Sequence, residues 1–193
     1  MAKVESGADR YVESLLPDFF DGYACEVGAN NGDFGSNTLL FEQLGWTVLC
    51  IEPNPLHEKH GRANRRLWRQ LACSDHDSEG EQFEAVGEYP WGADSALVGD
   101  VGKPQYPKNG TQYFTVKVRT LDRVLEDAGF PRLDFLSVDV ECWERKVMAG
   151  FTVERWKPKV IVLEEWTENA IVIPGYTIKD RLCCDNIYLR DSE

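Results

Sequence analysis

The chain has 193 residues, a length that suits one compact domain, and its 42% hydrophobic content is ordinary for a globular protein with a real core. Its 33 acids against 21 bases give a net charge of −12, which repels nucleic-acid phosphates and anionic membranes and makes nucleic acid a poor partner. No run of about 18 apolar residues offers a membrane span, and the opening MAKVESGADR lacks the apolar centre of a signal peptide, so a cytosolic location, in the protein's own cell or a host's, is expected.

Six cysteines contain no CxxC pair and histidine is scarce, so no zinc site is expected. Cys25, Cys50 and Cys73 lie in apolar runs and read as small buried hydrophobes.

Taken in order, residues 8–16 predict a short helix stopped by Pro17. Residues 23–27 form an apolar strand that ends in a Gly/Asn-rich turn. Ser36, Asn37 and Thr38 supply helix-start chemistry for residues 39–44, which Gly45 ends. Residues 47–51 are a second buried strand, 56–66 a helix, and 67–73 a third strand. Residues 82–86 and 113–118 suit an extra hairpin, and Thr120 caps a helix over 121–128. Residues 133–138 form a strongly apolar strand ending at Asp139. Val140, Trp143, Val147 and Phe151 then repeat at helical spacing. Residues 160–163 give another buried strand, ending at Glu164 and Glu165, and 176–178 with 187–189 a closing strand pair.

Short buried strands alternating with helices define an α/β chain with a mostly parallel sheet covered on both faces, and the helix-poor tail adds an antiparallel strand. The whole reads as one domain, residues 1–193. Between residues 87 and 112 glycine, proline and the aromatics Tyr89, Trp91 and Tyr106 suit either a lid or a surface insertion.

Ligands of such sheets bind at the carboxyl ends of the strands. Glu26, Glu52, Ser74, Asp139 and Glu164 all fall there. Residues 26–32 have the form acid-x-Gly-x-x-x-Gly, in which Gly28 and Gly32 turn the chain sharply and Asn30 sits between them. The acid Glu26 suits a cationic ligand. S-adenosylmethionine carries a sulfonium and an ammonium, and its carboxylate suits free amides at the helix start near Ser36 and Asn37. Glu52 is placed for both ribose hydroxyls and Ser74 for the border of the adenine, with Asp75 beside it.

The blocks at 26–39 (EVGANNGDFGSNTL), 51–55 (IEPNP), 72–75 (ACSD), 120–122 (TLD) and 134–141 (DFLSVDVE) together resemble FkbM-type methyltransferases over about residues 10–190. The resemblance implies a class I methyltransferase, a Rossmann-like three-layer sandwich, acting with S-adenosylmethionine on hydroxyls of sugars, glycans or natural products. It also marks a departure: the family commonly has glycine after Val-Asp-Val-Glu, where this chain has Cys142 and Trp143.

Methyl transfer needs donor and acceptor held in line, and an alcohol acceptor must lose a proton to a nearby carboxylate. Asp139 is the first candidate for that role and Glu141 the second, although Glu141 also has i,i+4 spacing to Arg145. Some related sugar methyltransferases hold magnesium at these two strand ends, so Asp139, Glu164 and Glu165 are a speculative Mg²⁺ set. The basic run His60, Arg62, Arg65, Arg66 and Arg69 reads as a solvated helix face, or as contacts to an anionic acceptor.

Two rivals remain. Gly28, Gly32 and Gly35 also fit a nicotinamide-dependent short-chain reductase, with Tyr113 and Lys117 at YxxxK spacing. That pair needs a helix, whereas residues 113–117 alternate like a strand. The other rival is a non-catalytic cofactor-binding module.

Overall fold

A computed structural model describes residues 7–16, 21–86, 95–99, 110–166 and 169–192. Its strands are β1 (Tyr23–Val27), β2 (Thr47–Ile51), β3 (Leu67–Arg69), β4 (Ala72–Cys73), β5 (Ser78–Ala85), β6 (Ala96–Leu97), β7 (Gln112–Arg119), β8 (Phe135–Val138), β9 (Val160–Glu164), β10 (Tyr176–Leu182) and β11 (Asp185–Arg190). Its helices are α1 (Ala8–Leu15), α2 (Leu39–Gln43), α3 (Glu58–Asn64), α4 (Leu121–Asp127), α5 (Glu144–Ala149) and α6 (Val153–Trp156).

Seven strands form the principal sheet in the order β10-β11-β9-β8-β1-β2-β3. The pairs β1/β2, β2/β3, β1/β8 and β8/β9 are parallel. The expected antiparallel strand is present one place in from the edge: β11 runs against both β9 and β10.

The central strands are apolar throughout because both faces are covered. Alternate residues serve opposite cores. Cys25, Val27, Leu49, Ile51, Leu136 and Ile161 pack on one side with α4, α6 and the second sheet. Ala24, Val48, Cys50, Phe135 and Val162 pack on the other with α1 and α2. Each fully buried Val, Leu, Ile or Phe among them contributes about 1.5–3 kcal/mol.

Three expectations needed correction. The apolar run 67–73 is not one strand: β3 pairs with β2, and the chain then crosses to place β4 beside β7 in a second sheet, β4-β7-β5-β6. Continuous apolarity cannot reveal a change of partner. The helix after β8 starts at Glu144 rather than Val140, because Glu141 and Cys142 adopt left-handed φ of 58° and 72°. The hairpin is longer than expected, and its β5 pairs with β6 as well as β7.

Residues 87–94 and 100–109, with Tyr89, Trp91 and Tyr106, lie outside the described residues. Among the described residues, no helix is long and apolar enough to cross a membrane.

Candidate active site

From β1 the chain winds to β2 on one side, while β8 pairs on the other, so the sheet's crossover directions part at the β1–β8 seam. A cavity of about 300 Å³ opens at the carboxyl ends of these strands, a size used by small-ligand sites. Its wall includes Gly28, Asn30, Ser36, Asn37, Glu52, Asp139, Glu141 and Glu164. The second sheet closes it with Phe83, Ala96 and Leu97, beside Leu71, Ala72, Cys73 and Trp143. One end is thus apolar and the other acidic.

Glu26 shares a strand face with Ala24 and points toward the helices, where it meets a cation of the protein itself. Its Oε2 accepts from Arg65 Nη1 at 3.0 Å, Ser36 Oγ at 2.8 Å and Thr38 Oγ1 at 2.8 Å, and its Oε1 from the Asn37 amide at 2.8 Å. Arg65 Nε also donates to Glu42 at 2.5 Å, and Nη2 to Thr38 Oγ1. Although burial opposes its charge, Glu26 and the other acids around it raise the Arg65 pKa above its ordinary value. Gly32, at φ 81°, makes room for this guanidinium arm: a Cβ there would lie 2.7 Å from Arg65 Cγ. Glu26 and Gly32 therefore hold the loop's shape; Glu26 also lines the cavity, whereas Gly32 does not.

Arg65 departs from both readings of its basic run, the solvated face and the contact to an anionic acceptor. Arg62 and Arg66 do face solvent, but the Arg65 side chain is fully buried. None of the run lines the cavity. A single buried arginine among exposed ones leaves no mark in the spacing.

Gly28 lies where the backbone crowds most: at φ 87°, its Cβ would stand 1.7 Å from the Asp139 carbonyl oxygen. Beyond it, Glu52 Oε2 accepts from the Asn30 amide at 2.9 Å and Oε1 from the Asn54 amide at 2.7 Å. Burial raises the Glu52 carboxyl to about 7, and these two amide bonds resist the shift. A carboxylate has about four acceptor positions, so two remain for a ligand. Asn30 Oδ1 and Asn37 Oδ1 are buried acceptors without a donor. His57, buried in the same wall, has its pKa lowered chiefly by burial and is neutral near pH 7. The sequence reading missed it.

At the acidic end, Asp139, Glu141 and Glu164 bring carboxylate oxygens within 4.8 Å of one another. Asp139 has accessible surface and lines the cavity, yet protein surrounds it closely. This enclosure raises its pKa well above the usual range, and Glu164, Glu141 and Asp185 raise it further. Glu165 does not join them. Its carboxylate accepts from Asn186 Nδ2, the Tyr188 hydroxyl and the Ile171 amide. Adjacent residues of an extended chain point to opposite faces, which separates Glu164 from Glu165. Trp166, 64% exposed, lines this end together with Cys183, Cys184 and Asp185. Among the described lining residues there is no lysine or arginine.

Ser74 is fully buried but does not line the cavity. Its hydroxyl accepts from Trp143 Nε1 at 3.2 Å and donates to Asp75 at 3.1 Å, so it supports the wall from behind. Asp75 in turn accepts from Lys146 and meets His76. Arg145 donates to the Asn169 carbonyl, while Glu141 lines the cavity. Tyr113 and Lys117 lie on β7, as strand alternation required, and the reductase pair is not formed on a helix.

A parallel sheet with one antiparallel strand set next to its edge, and a cavity at its strand ends, defines a Rossmann-like methyltransferase fold. Residues 26–170 match the family described as the methyltransferase FkbM domain; the chain belongs to this family and is a methyltransferase. No curated protein matches it.

Proposed function

We propose that the protein transfers a methyl group from S-adenosylmethionine to a hydroxyl of a sugar, glycan or other small natural product. The observation that carries the donor reading is the pair of buried acceptors without donors, Asn30 Oδ1 and Asn37 Oδ1, in the wall that also holds Glu52. An ammonium offers the hydrogen-bond donors that such acceptors require. Glu52 has capacity left for two ribose hydroxyls, and the apolar end of Leu71, Ala72, Phe83 and Leu97 suits a purine face.

When bound, the donor supplies a methyl carbon activated by sulfonium. The chain's own work is positioning and proton handling. Gly28 lets the loop approach closely, and Arg65 fixes its shape through Glu26. The acidic end orients the acceptor hydroxyl, and the raised pKa of Asp139 makes its carboxylate a stronger base for that proton. Trp166 offers a flat apolar surface for a sugar ring, and the absence of cationic lining among the described residues disfavours an anionic acceptor.

The test is incubation of the protein with isotope-labelled donor and pools of glycans and metabolites, read by mass spectrometry. Label on hydroxyl oxygens of neutral or amine-bearing saccharides is expected. Label confined to nitrogen or to protein contradicts the O-methyl reading.

A further inference from the structure

We infer that Glu144 is a positioning residue for methyl transfer: from behind the turn that follows β8, it holds Glu141 in the cavity wall. Glu144 opens α5, is buried and does not itself line the cavity. Its Oε1 accepts from two backbone amides, Val140 at 3.1 Å and Cys142 at 3.2 Å. The residue between those two is Glu141.

The turn needs such a tether. Glu141 and Cys142 are consecutive left-handed residues that both carry a Cβ, with φ of 58° and 72°, a conformation disfavoured at each. One oxygen that draws in the amides on either side of Glu141 pins the backbone there, and with it the direction of the Glu141 side chain. That side chain lines the cavity and brings a carboxylate oxygen within 4.8 Å of those of Asp139 and Glu164.

Glu144 also registers the turn against the glycine loop. The carbonyl oxygen of the Asp139–Val140 peptide lies against Gly28, where a Cβ would stand 1.7 Å away, and the N–H of the same peptide donates to Glu144. The carbonyl and N–H of a trans peptide point in opposite directions, so Gly28 and Glu144 hold opposite edges of one peptide plane. The acid of the acceptor end is thereby set relative to the loop that carries Gly28 and Asn30. Burial raises the Glu144 carboxyl to about 7, and backbone amides, its own included, resist the shift. The tether itself requires only an acceptor oxygen, which an amide side chain also offers. It stands on these contacts alone; its service to the acceptor rests on the reading above.

The test compares the full wild-type chain with Glu144→Gln, which keeps the acceptor oxygen, and Glu144→Ala, which removes it; Glu144→Leu serves if the alanine variant fails to fold. Nuclear magnetic resonance follows hydrogen exchange at the Val140 and Cys142 amides. Calorimetry gives the affinity for S-adenosylhomocysteine, and mass spectrometry the label transferred from S-adenosylmethionine to the glycan and metabolite pools. Loss of the oxygen is expected to speed exchange at both amides by about tenfold and to slow label transfer by about tenfold or more, with S-adenosylhomocysteine affinity within about twofold of wild type. Glu144→Gln is expected to restore both exchange and transfer. In a Glu141→Gln background, Glu144→Ala is expected to cost no further transfer, because the two residues act as one unit. Wild-type exchange in a folded Glu144→Ala, fast exchange in Glu144→Gln, or equal losses of transfer and donor affinity overturns the role, as does an additive loss in the double variant. A wild type that labels no member of the pools counts against the proposed function, and the exchange rates then decide the tether on their own.

Discussion

Arg65 and Glu26 meet at 3.0 Å inside the protein, where the Arg65 side chain is fully buried and Glu26 is nearly so. Through Glu26 the pair ties α3's end to the turn after β1, and Glu42 extends the tie to α2. Removing one partner of such a pair leaves a buried charge uncompensated and costs about 3–5 kcal/mol. Arg65→Ala is therefore expected to lower the thermal midpoint by about 10 °C, measured by circular dichroism. Arg66→Ala, at a side chain 72% exposed, is expected to shift it little.

Gly28 cannot be replaced without moving β8. Its positive φ and the 1.7 Å approach of the Asp139 carbonyl both exclude a Cβ. Gly28→Ala should destabilise the fold by about 2–5 kcal/mol, combining left-handed strain with overpacking. Chemical denaturation measures this; a variant within 0.5 kcal/mol (about the noise of a neutral surface change) contradicts it.

The raised carboxyl of Glu52 sets a pH dependence. Its folded value of about 7 lies above its ordinary 4.5, so between these pH values the folded state binds more protons than the unfolded. Its contribution to stability is present below about pH 4.5 and is lost as pH rises through 7, a change of up to about 3 kcal/mol. A ligand that donates hydroxyls to Glu52 favours the ionised form. Affinity for S-adenosylmethionine should then rise from about pH 5 to about pH 7.5 and level off, with proton release to buffer seen calorimetrically. A flat or falling profile contradicts the assignment of Glu52 to the ribose.

Cys142 occupies a left-handed position, φ 72°, where glycine is at ease. This accounts for the glycine common there in the family and identifies the cost of the cysteine. Cys142→Gly is expected to stabilise the fold by about 1 kcal/mol, read as a higher denaturation midpoint. A lower midpoint would show that the thiol's packing outweighs the strain.

Much of this was legible in the sequence. Apolar runs ending in acids placed Glu52, Asp139 and Glu164 at strand ends, because both-face burial writes itself as continuous hydrophobicity. Residues Asn30, Asn37, Gly28 and Glu141 also reach the cavity. What stayed hidden depends on direction and on contacts far apart in the chain. Glu165 points away from the cavity toward internal donors, and Glu26, although it lines the cavity, is joined by Arg65 across 39 positions. Ser74 sits one residue past the wall that Ala72 and Cys73 form. Residue type and spacing carry none of that.

The proposed occupant of the cavity beside Gly28 and Glu52 is S-adenosylmethionine. Isothermal titration of the protein with S-adenosylmethionine and, separately, with NADH tests it most directly. One saturable site is expected for S-adenosylmethionine and none for NADH. Saturable NADH binding without S-adenosylmethionine binding would contradict it.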